Sequence, residues 1–220
     1  MPKALKIFLR VIFITLGIIV IGMGSITAYI AWDSKRAVKE AAIDISSQVT
    51  GNPDGKMTIV EFVDYRCHYC PILNATLDEA LQFEKDVKVV IRPVGWVDEQ
   101  SKPIASFLIA SGKQGKYVEL HKKLMDLPSL PDYETVKTIA GSLGIDVAKA
   151  EEDAKGKDVE AQIEENQGYV MRSGFPGIPA LIIGDRQFFL NEENMKSVNA
   201  LRMEISDAYD RKAEQQKQTD

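Results

Sequence analysis

The chain has 220 residues, 45% hydrophobic and 27% charged, the balance of a globular protein with a substantial core. A net charge of -5 supplies no basic field and argues against nucleic acid as a partner. Two cysteines cannot build a disulfide scaffold, and with only two histidines, His121 being remote in sequence, they argue against a four-ligand zinc site.

Lys3, Lys6 and Arg10 precede a charge-free run from Val11 to Trp32. As a helix that run is about 33 Å long, enough for a hydrocarbon core of about 30 Å. It is longer than the apolar centre of a secretory signal, and the best cleavage position, after Ala28, has a bulky Ile26 three residues back. An uncleaved signal anchor over 11–32 is therefore expected, with 1–10 in the cytoplasm and Tyr29 and Trp32 in the far interface. Lys35, Arg36 and Lys39 beyond the run weaken the charge asymmetry behind that orientation. Outside the cytoplasm disulfides persist. Residues 33–50 read as a helical spacer, with Val38, Ala41, Ala42, Ile45 and Val49 forming a mildly apolar face. That face either packs on the following domain or self-associates.

Gly51-Asn52-Pro53-Asp54-Gly55 is turn chemistry and opens a globular domain expected over 51–208. Met57 to Asp64 reads as its first strand, a nearly continuous apolar run suited to a strand covered on both faces. Glu61 interrupts that run. It reads either as a carboxylate reaching solvent or as a partly buried one, whose raised pKa lets it relay protons for a thiol. The run feeds directly into Cys67-His68-Tyr69-Cys70, which contains both cysteines. Pro71 suits a first helical turn, and Leu73, Leu77, Ala80 and Leu81 continue as a core-facing stripe. Unpaired amides and the macrodipole at a helix N-terminus favour a thiolate, so this is a site for thiol chemistry. Val87 to Arg92, ended by Pro93, is a second strand and completes a strand–helix–strand unit.

From Asp98 to about Arg172 the pattern is helical. Pro103 to Ala110 is apolar, and Tyr117, Leu120, Leu124 and Leu127 form a second stripe. Asp132 is placed to cap a helix reaching Leu143, Gly144 to close it, and Asp146 to cap the next. Val159 to Val170 supplies a last, acidic helix. His121 has no evident partner in the sequence and reads as solvated or capping. Ala180 to Ile183 and Arg186 to Phe189, joined by Gly184-Asp185, give a hairpin signal. Pro179 stands just before it, where a cis peptide is accessible. Asn191 starts an amphipathic helix to about Ala208, and 209–220 reads as a polar, disordered tail.

Strand, Cys-x-x-Cys helix, strand, helical block, Gly-x-Pro, hairpin, helix: this order resembles the DsbA-like branch of the thioredoxin superfamily. The residues that carry it are Glu61-Phe62-x-Asp64-Tyr65-x-Cys67-x-x-Cys70 and Gly177-Ile178-Pro179-Ala180. The resemblance implies an α/β thioredoxin fold with an inserted α-helical domain at about 98–172, here preceded by a single N-terminal transmembrane helix. It implies Cys67 as the exposed nucleophile and Cys70 as its buried partner. Pro179 becomes the cis-proline facing the pair, Ile178 and Gly177 line the substrate strand, and Glu61 lies beneath the inner cysteine. His68 and Tyr69 between the cysteines depart from the Pro-His of strongly oxidising members, and a Tyr before the second cysteine is closer to isomerase-type and ScsC-like relatives. Ile178 stands where Val or Thr is more usual.

The function expected is that of a membrane-anchored thiol:disulfide oxidoreductase that introduces disulfides into cysteine-containing extracytoplasmic proteins, with no cofactor and no metal. It would sit in a bacterial inner membrane as a single-pass protein, held by lipid around 11–32, with its catalytic domain in the periplasm and a DsbB-like or DsbD-like membrane redox partner. One alternative is an isomerase or reductase kept reduced by a membrane donor and assembled as an oligomer through 34–49. Another is a thiolate module for a soft ion such as Cu(I), for which His68 is at hand but no methionine is near.

Overall fold

The computed structural model describes residues 3–43, 45 and 48–219. Met1, Pro2, Asp44, Ser46, Ser47 and Asp220, with the parts of the expected N-terminus, spacer and tail that fall on them, lie outside the described residues. Helix α1, Lys3–Ala41, is a single 39-residue element. Its stretch Ile12–Ala41 is long and apolar enough to cross a membrane. Along it Phe13 and Ile21 are 72% and 71% exposed. The expected boundary at Trp32 between anchor and spacer is absent as a break, because Ala28 to Ala41 contains no Gly or Pro to interrupt the helix.

After α1 come β1 (Val49–Gly51), β2 (Met57–Val63), α2 (Cys70–Ala80) and β3 (Val87–Pro93). The helices α3 (Ser101–Gly112), α4 (Tyr117–Met125), α5 (Tyr133–Ser142), α6 (Val147–Asp153) and α7 (Lys157–Arg172) follow. The chain closes with β4 (Ala180–Ile183), β5 (Arg186–Phe188) and α8 (Val198–Thr219). The strands form one sheet in the order β1-β3-β2-β4-β5. β2 and β3 are parallel, with Glu61 opposite Ile91, whereas β1 with β3, β2 with β4 and β4 with β5 are antiparallel. Val49 belongs to β1 rather than to the predicted spacer helix. A three-residue strand carries no readable alternation, and Gly51, at φ 74°, leaves it through a backbone conformation that favours glycine.

The apolar run of β2 is continuous because both faces are covered. Met57, Ile59 and Val63 share a core with Leu73 and Leu77 of α2 and with Leu201 and Ile205 of α8. Val60 and Phe62 point the other way, onto Ala37, Val38 and Ala41 of α1 and Tyr169 and Val170 of α7. The end of α1 is thus part of the sheet's covering layer, which corrects the domain start expected at residue 51. Arg92 fastens it. Its buried guanidinium donates from Nε to Ala41 O at 2.7 Å and from Nη2 to Ile43 O at 2.8 Å, satisfying carbonyls that a helix end leaves unpaired. Nη1 reaches Asn166 Oδ1 at 3.1 Å, and Arg172 of α7 pairs with both Asp33 and Glu40 at 3.4 Å.

The inserted helices follow the capping logic of the sequence. Asp132 accepts from Thr135 N at 2.7 Å, Asp146 accepts from Lys149 N at 3.0 Å, and Gly144 adopts φ 76° after α5. The C-terminus departs from expectation. Asn191 Oδ1 accepts from the amides of Glu193 and Asn194, which leads into a 3-10 turn at Asn194–Lys196 before α8 begins. α8 then continues through the segment predicted to be disordered. Tyr209 donates to Asp86 O at 2.8 Å, Gln215 donates to Asp185 Oδ2 at 2.8 Å, and Arg211 pairs with Asp185 at 3.3 Å and Glu204 at 3.0 Å. Polar composition does not reveal partners supplied by the sheet turns.

Candidate active site

β2 delivers the chain to a loop pinned by Asp64, which is fully buried. Its Oδ1 accepts from Arg66 N at 2.9 Å, while Oδ2 accepts from Trp96 N at 2.7 Å and Val97 N at 3.1 Å. The turn closes with Cys67 N donating to Asp64 O at 3.1 Å, and α2 starts at Cys70 with Pro71 in its first turn. The two cysteines are free thiols in very different settings. Cys67 keeps a sliver of surface, 6%, just before the helix start, whereas Cys70 is wholly enclosed.

Those settings separate the thiols chemically. The Cys67 pKa is lowered, first by the hydrogen bond from the Cys70 thiol and then by the amides of Tyr69 and Cys70, against burial and the charge of Asp64. Cys70 is pushed up by burial and by the neighbouring Cys67. Cys67 is thus the sulfur suited to attack or be attacked, and Cys70 the one that holds a proton. His68 is exposed and supplies none of these hydrogen bonds; Tyr69 is 53% exposed.

The Ile178–Pro179 peptide is cis, and Cys67 Sγ lies 3.9 Å from Ile178 O. Beside it runs an apolar groove of about 370 Å3 lined by Tyr69, Phe175, Gly177, Pro179, Phe189 and Met195 among others. A second cleft, about 610 Å3, lies on the His68 side between Tyr65, Arg66, Met125 and Pro131. Arg66 braces that side through Asp98 at 2.7 Å and Pro131 O at 3.1 Å.

Glu61 shares the Ile59 and Val63 face of β2 and is 0% exposed. Burial raises its pKa to about 8, with the charge of Asp78 adding and a hydrogen bond from Asn74 opposing. Asn74 Nδ2 reaches Oε2 at 3.5 Å, and Oε1 is buried without a hydrogen-bond partner among the described residues. Its charge acts on Cys70, the sulfur on the same side of the sheet.

His121 is the residue whose expected setting the structure overturns. It is 1% exposed rather than solvated, and it is no cap. Its Nδ1 meets Tyr65 OH at 3.1 Å, its Nε2 meets Asn74 Nδ2 at 3.2 Å, and its ring stacks on Tyr117. Burial lowers its pKa to about 3, so the imidazole is neutral. Sequence reasoning missed this residue together with Asn74, Tyr65 and Tyr117. The signal was present: His121 falls on the stripe of Tyr117, Leu120 and Leu124, and Asn74 is one turn beyond Cys70.

The fold is shared with solved thiol–disulfide proteins. A thioredoxin-like oxidoreductase from Silicibacter pomeroyi DSS-3 is 27% identical, with 78% of this chain and 99% of that one covered at a TM-score of 0.65. The thiol-disulfide exchange protein alpha-DsbA2 from Wolbachia pipientis is 23% identical, covering 80% and 97%, at 0.68. BdbD from Bacillus subtilis is 20% identical, covering 75% and 94%, at 0.63. Among curated proteins, the Na(+)/H(+) antiporter NhaA 1 of Mycobacterium sp. strain KMS is 24% identical over 110 residues, which are 49% of this chain and 18% of the antiporter. The chain spans less than a fifth of that relative, and no transport activity is carried over. With a family model matching residues 58–202, the chain belongs to the DSBA-like thioredoxin domain family.

Proposed function

We propose that the protein is a membrane-tethered oxidant of protein thiols outside the cytoplasm. The observation that carries this reading is the asymmetry of the pair: hydrogen bonds favour a thiolate on Cys67, while Cys70 is sealed and holds its proton. A thiolate stabilised in the reduced form makes the disulfide a stronger oxidant. The exposed apolar stretch of α1 supports the tether, and a tether with the domain on the periplasmic face of a bacterial inner membrane would keep the pair where disulfides persist.

The cycle starts from the Cys67–Cys70 disulfide. A substrate thiolate attacks Cys67 Sγ, the Cys67–Cys70 bond breaks, and Cys70 leaves as a thiolate that takes the Glu61 proton. The substrate's second thiolate then attacks its own sulfur in the mixed disulfide and expels the Cys67 thiolate. The two electrons of the substrate dithiol pass to the enzyme, its two thiol protons go to solvent when the thiolates form, and Glu61 recovers its proton from solvent before the next turnover. Gly177 and Ile178 line the substrate strand, and Pro179 walls the pair opposite Cys67. His68 and Tyr69 set the exposed rim that partners meet. A membrane partner of DsbB-like chemistry withdraws the electrons; a DsbD-like donor would run the site as a reductase.

The oligomeric isomerase reading calls for a free self-association face over 34–49, and Val38 and Ala41 of that face are buried on α7 and the sheet. Equilibration with a glutathione buffer decides direction: a potential clearly above the about -270 mV of thioredoxin is expected, and one at or below it makes the protein a reductase. In cells, Cys70→Ala is expected to accumulate mixed disulfides on Cys67 with envelope proteins, visible on non-reducing gels and lost with thiol reductant.

A further inference from the structure

A buried polar chain leaves the active site and ends in the helical insertion, and the cycle above uses only its first member. Its links run from Glu61 Oε2 to Asn74 Nδ2 (3.5 Å), then on to His121 Nε2 (3.2 Å). His121 Nδ1 continues to Tyr65 OH (3.1 Å), and Tyr65 OH to Tyr117 OH (3.0 Å). None of the five side chains is more than 5% exposed.

The donor and acceptor roles form one consistent set. Asn74 is placed with Nδ2 toward His121, and an amide nitrogen only donates, which goes with a ring unprotonated at Nε2. Nδ1 then carries the proton of the neutral ring and donates to Tyr65, whose hydroxyl donates to Tyr117. Asn74 has no preference of its own for which end of its amide meets Glu61. In the tautomer protonated on Nδ1, the lone pair on His121 Nε2 selects the end, because the turned-over amide would set Oδ1 against that lone pair. Held with Nδ2 inward, Asn74 donates to the carboxyl and favours its charged form; with Oδ1 inward, only the acid form of Glu61 would bond.

We propose that His121 is a positioning residue of the exchange reaction: it fixes Asn74 as a donor toward Glu61 and so sets how readily that carboxyl releases its proton to Cys70. The inference rests on Glu61 serving as the proton source in the cycle above. Burial and the charge of Asp78 hold Glu61 toward the acid form, and its own charge opposes ionisation of the other groups that face it. Asp78 and Cys70 face it from α2, Tyr65 from the active-site loop, and Tyr117 from α4. Lys122, next to His121, acts on the imidazole and on Asp78, while the strand neighbours Ile91 and Leu181 carry no charge. The donor bond from Asn74 is the opposing influence, and His121 is what orients it.

The test uses the full chain in detergent. With only two histidines, ring-nitrogen NMR assigns His121 directly. The neutral tautomer protonated on Nδ1 is expected across the neutral range, and the tautomer protonated on Nε2 overturns the proposal. Carbon-13 NMR of the Glu61 carboxyl then gives its titration midpoint. H121L is expected to move that midpoint upward, and H121Q, whose side-chain oxygen restores an acceptor, to return it toward the parent. Y65F keeps the ring packing but removes the partner of Nδ1, and it is expected to move the midpoint the same way should H121L fold poorly. An unmoved midpoint in folded H121L or Y65F overturns the proposal. Exchange rates of E61Q separate the two readings: a rate equal to the parent's removes Glu61 as proton source, whereas the midpoint measurement reports on His121 whatever that rate is.

Discussion

Glu61 stands at the centre of β2, fully buried, and burial makes its carboxyl an acid at neutral pH. As proton source for Cys70, it predicts that E61Q slows thiol–disulfide exchange by about 10²-fold, the lower end of what a positioned acid contributes. The pH-rate profile of E61Q should also lose its inflection near 8. Stopped-flow exchange with a model dithiol across pH checks both, and a full-speed E61Q refutes the assignment. Much of this site was legible in single residues. A carboxylate inside an apolar strand pattern is an anomaly in any sequence, and two cysteines at a helix start announce their chemistry. His121 was not legible as a partner, because Tyr65 and Asn74 come from 56 and 47 residues away. Its place on the α4 stripe marks it as buried, but only the packing of α4 against α2 and the active-site loop supplies the groups that satisfy it.

At the scale of elements, the junction between α1 and the sheet follows the packing alternative for the face of 33–50, with Val38 and Ala41 against the sheet and α7. The final turns of α1 cover Val60, Phe62 and Ile182, which would otherwise be exposed on one face of the sheet. Arg92 holds the helix end by its own carbonyls. R92L keeps the bulk but leaves those carbonyls unpaired, and is expected to destabilise the protein by about 3 kcal/mol, the order expected when buried groups lose charged hydrogen bonds. It should also speed proteolytic cutting between Ala42 and Gln48. Urea unfolding and limited proteolysis read the two effects, and an unchanged cleavage rate would show that Arg92 does not hold α1 in place. Under the proposed membrane tether, this packing of the end of α1 on the sheet would fix the domain's orientation to the bilayer instead of letting it swing.

Over the whole molecule, two fully buried titratable groups give stability opposite slopes with pH. Glu61 titrates near 8 in the folded state against an ordinary 4.5, so the folded protein binds the extra proton between those values. Its contribution is full below 4.5 and is lost as pH rises through 8. His121 titrates near 3 against 6.5, so the unfolded chain binds the extra proton there; its contribution is full above 6.5 and is lost as pH falls through 3. Between 4.5 and 6.5 the two slopes cancel, and the pair predicts a plateau there. Outside the plateau each group contributes about 1.4 kcal/mol per pH unit. Urea unfolding over a pH series should show E61Q flattening the alkaline limb alone and H121Q the acid limb alone. If E61Q leaves the alkaline limb as steep as before, Glu61 is not held protonated in the fold.

By itself the sequence determined the chemistry and the order of elements. Cys67 and Cys70 at a helix start, Pro179 before a hairpin, Glu61 within an apolar strand and the caps at Asp132 and Asp146 are local patterns, and local patterns obey rules that act over a few residues. Tertiary structure decided everything that depends on what comes from elsewhere in the chain. It assigned a three-residue strand to the sheet edge and carried α8 on to Thr219 by giving its polar residues partners. It turned the end of an apparent spacer into a layer of the core. It also took a histidine with no visible role and closed it into a hydrogen-bonded chain beside the reactive pair, because a buried polar group is stable only where distant segments bring it partners.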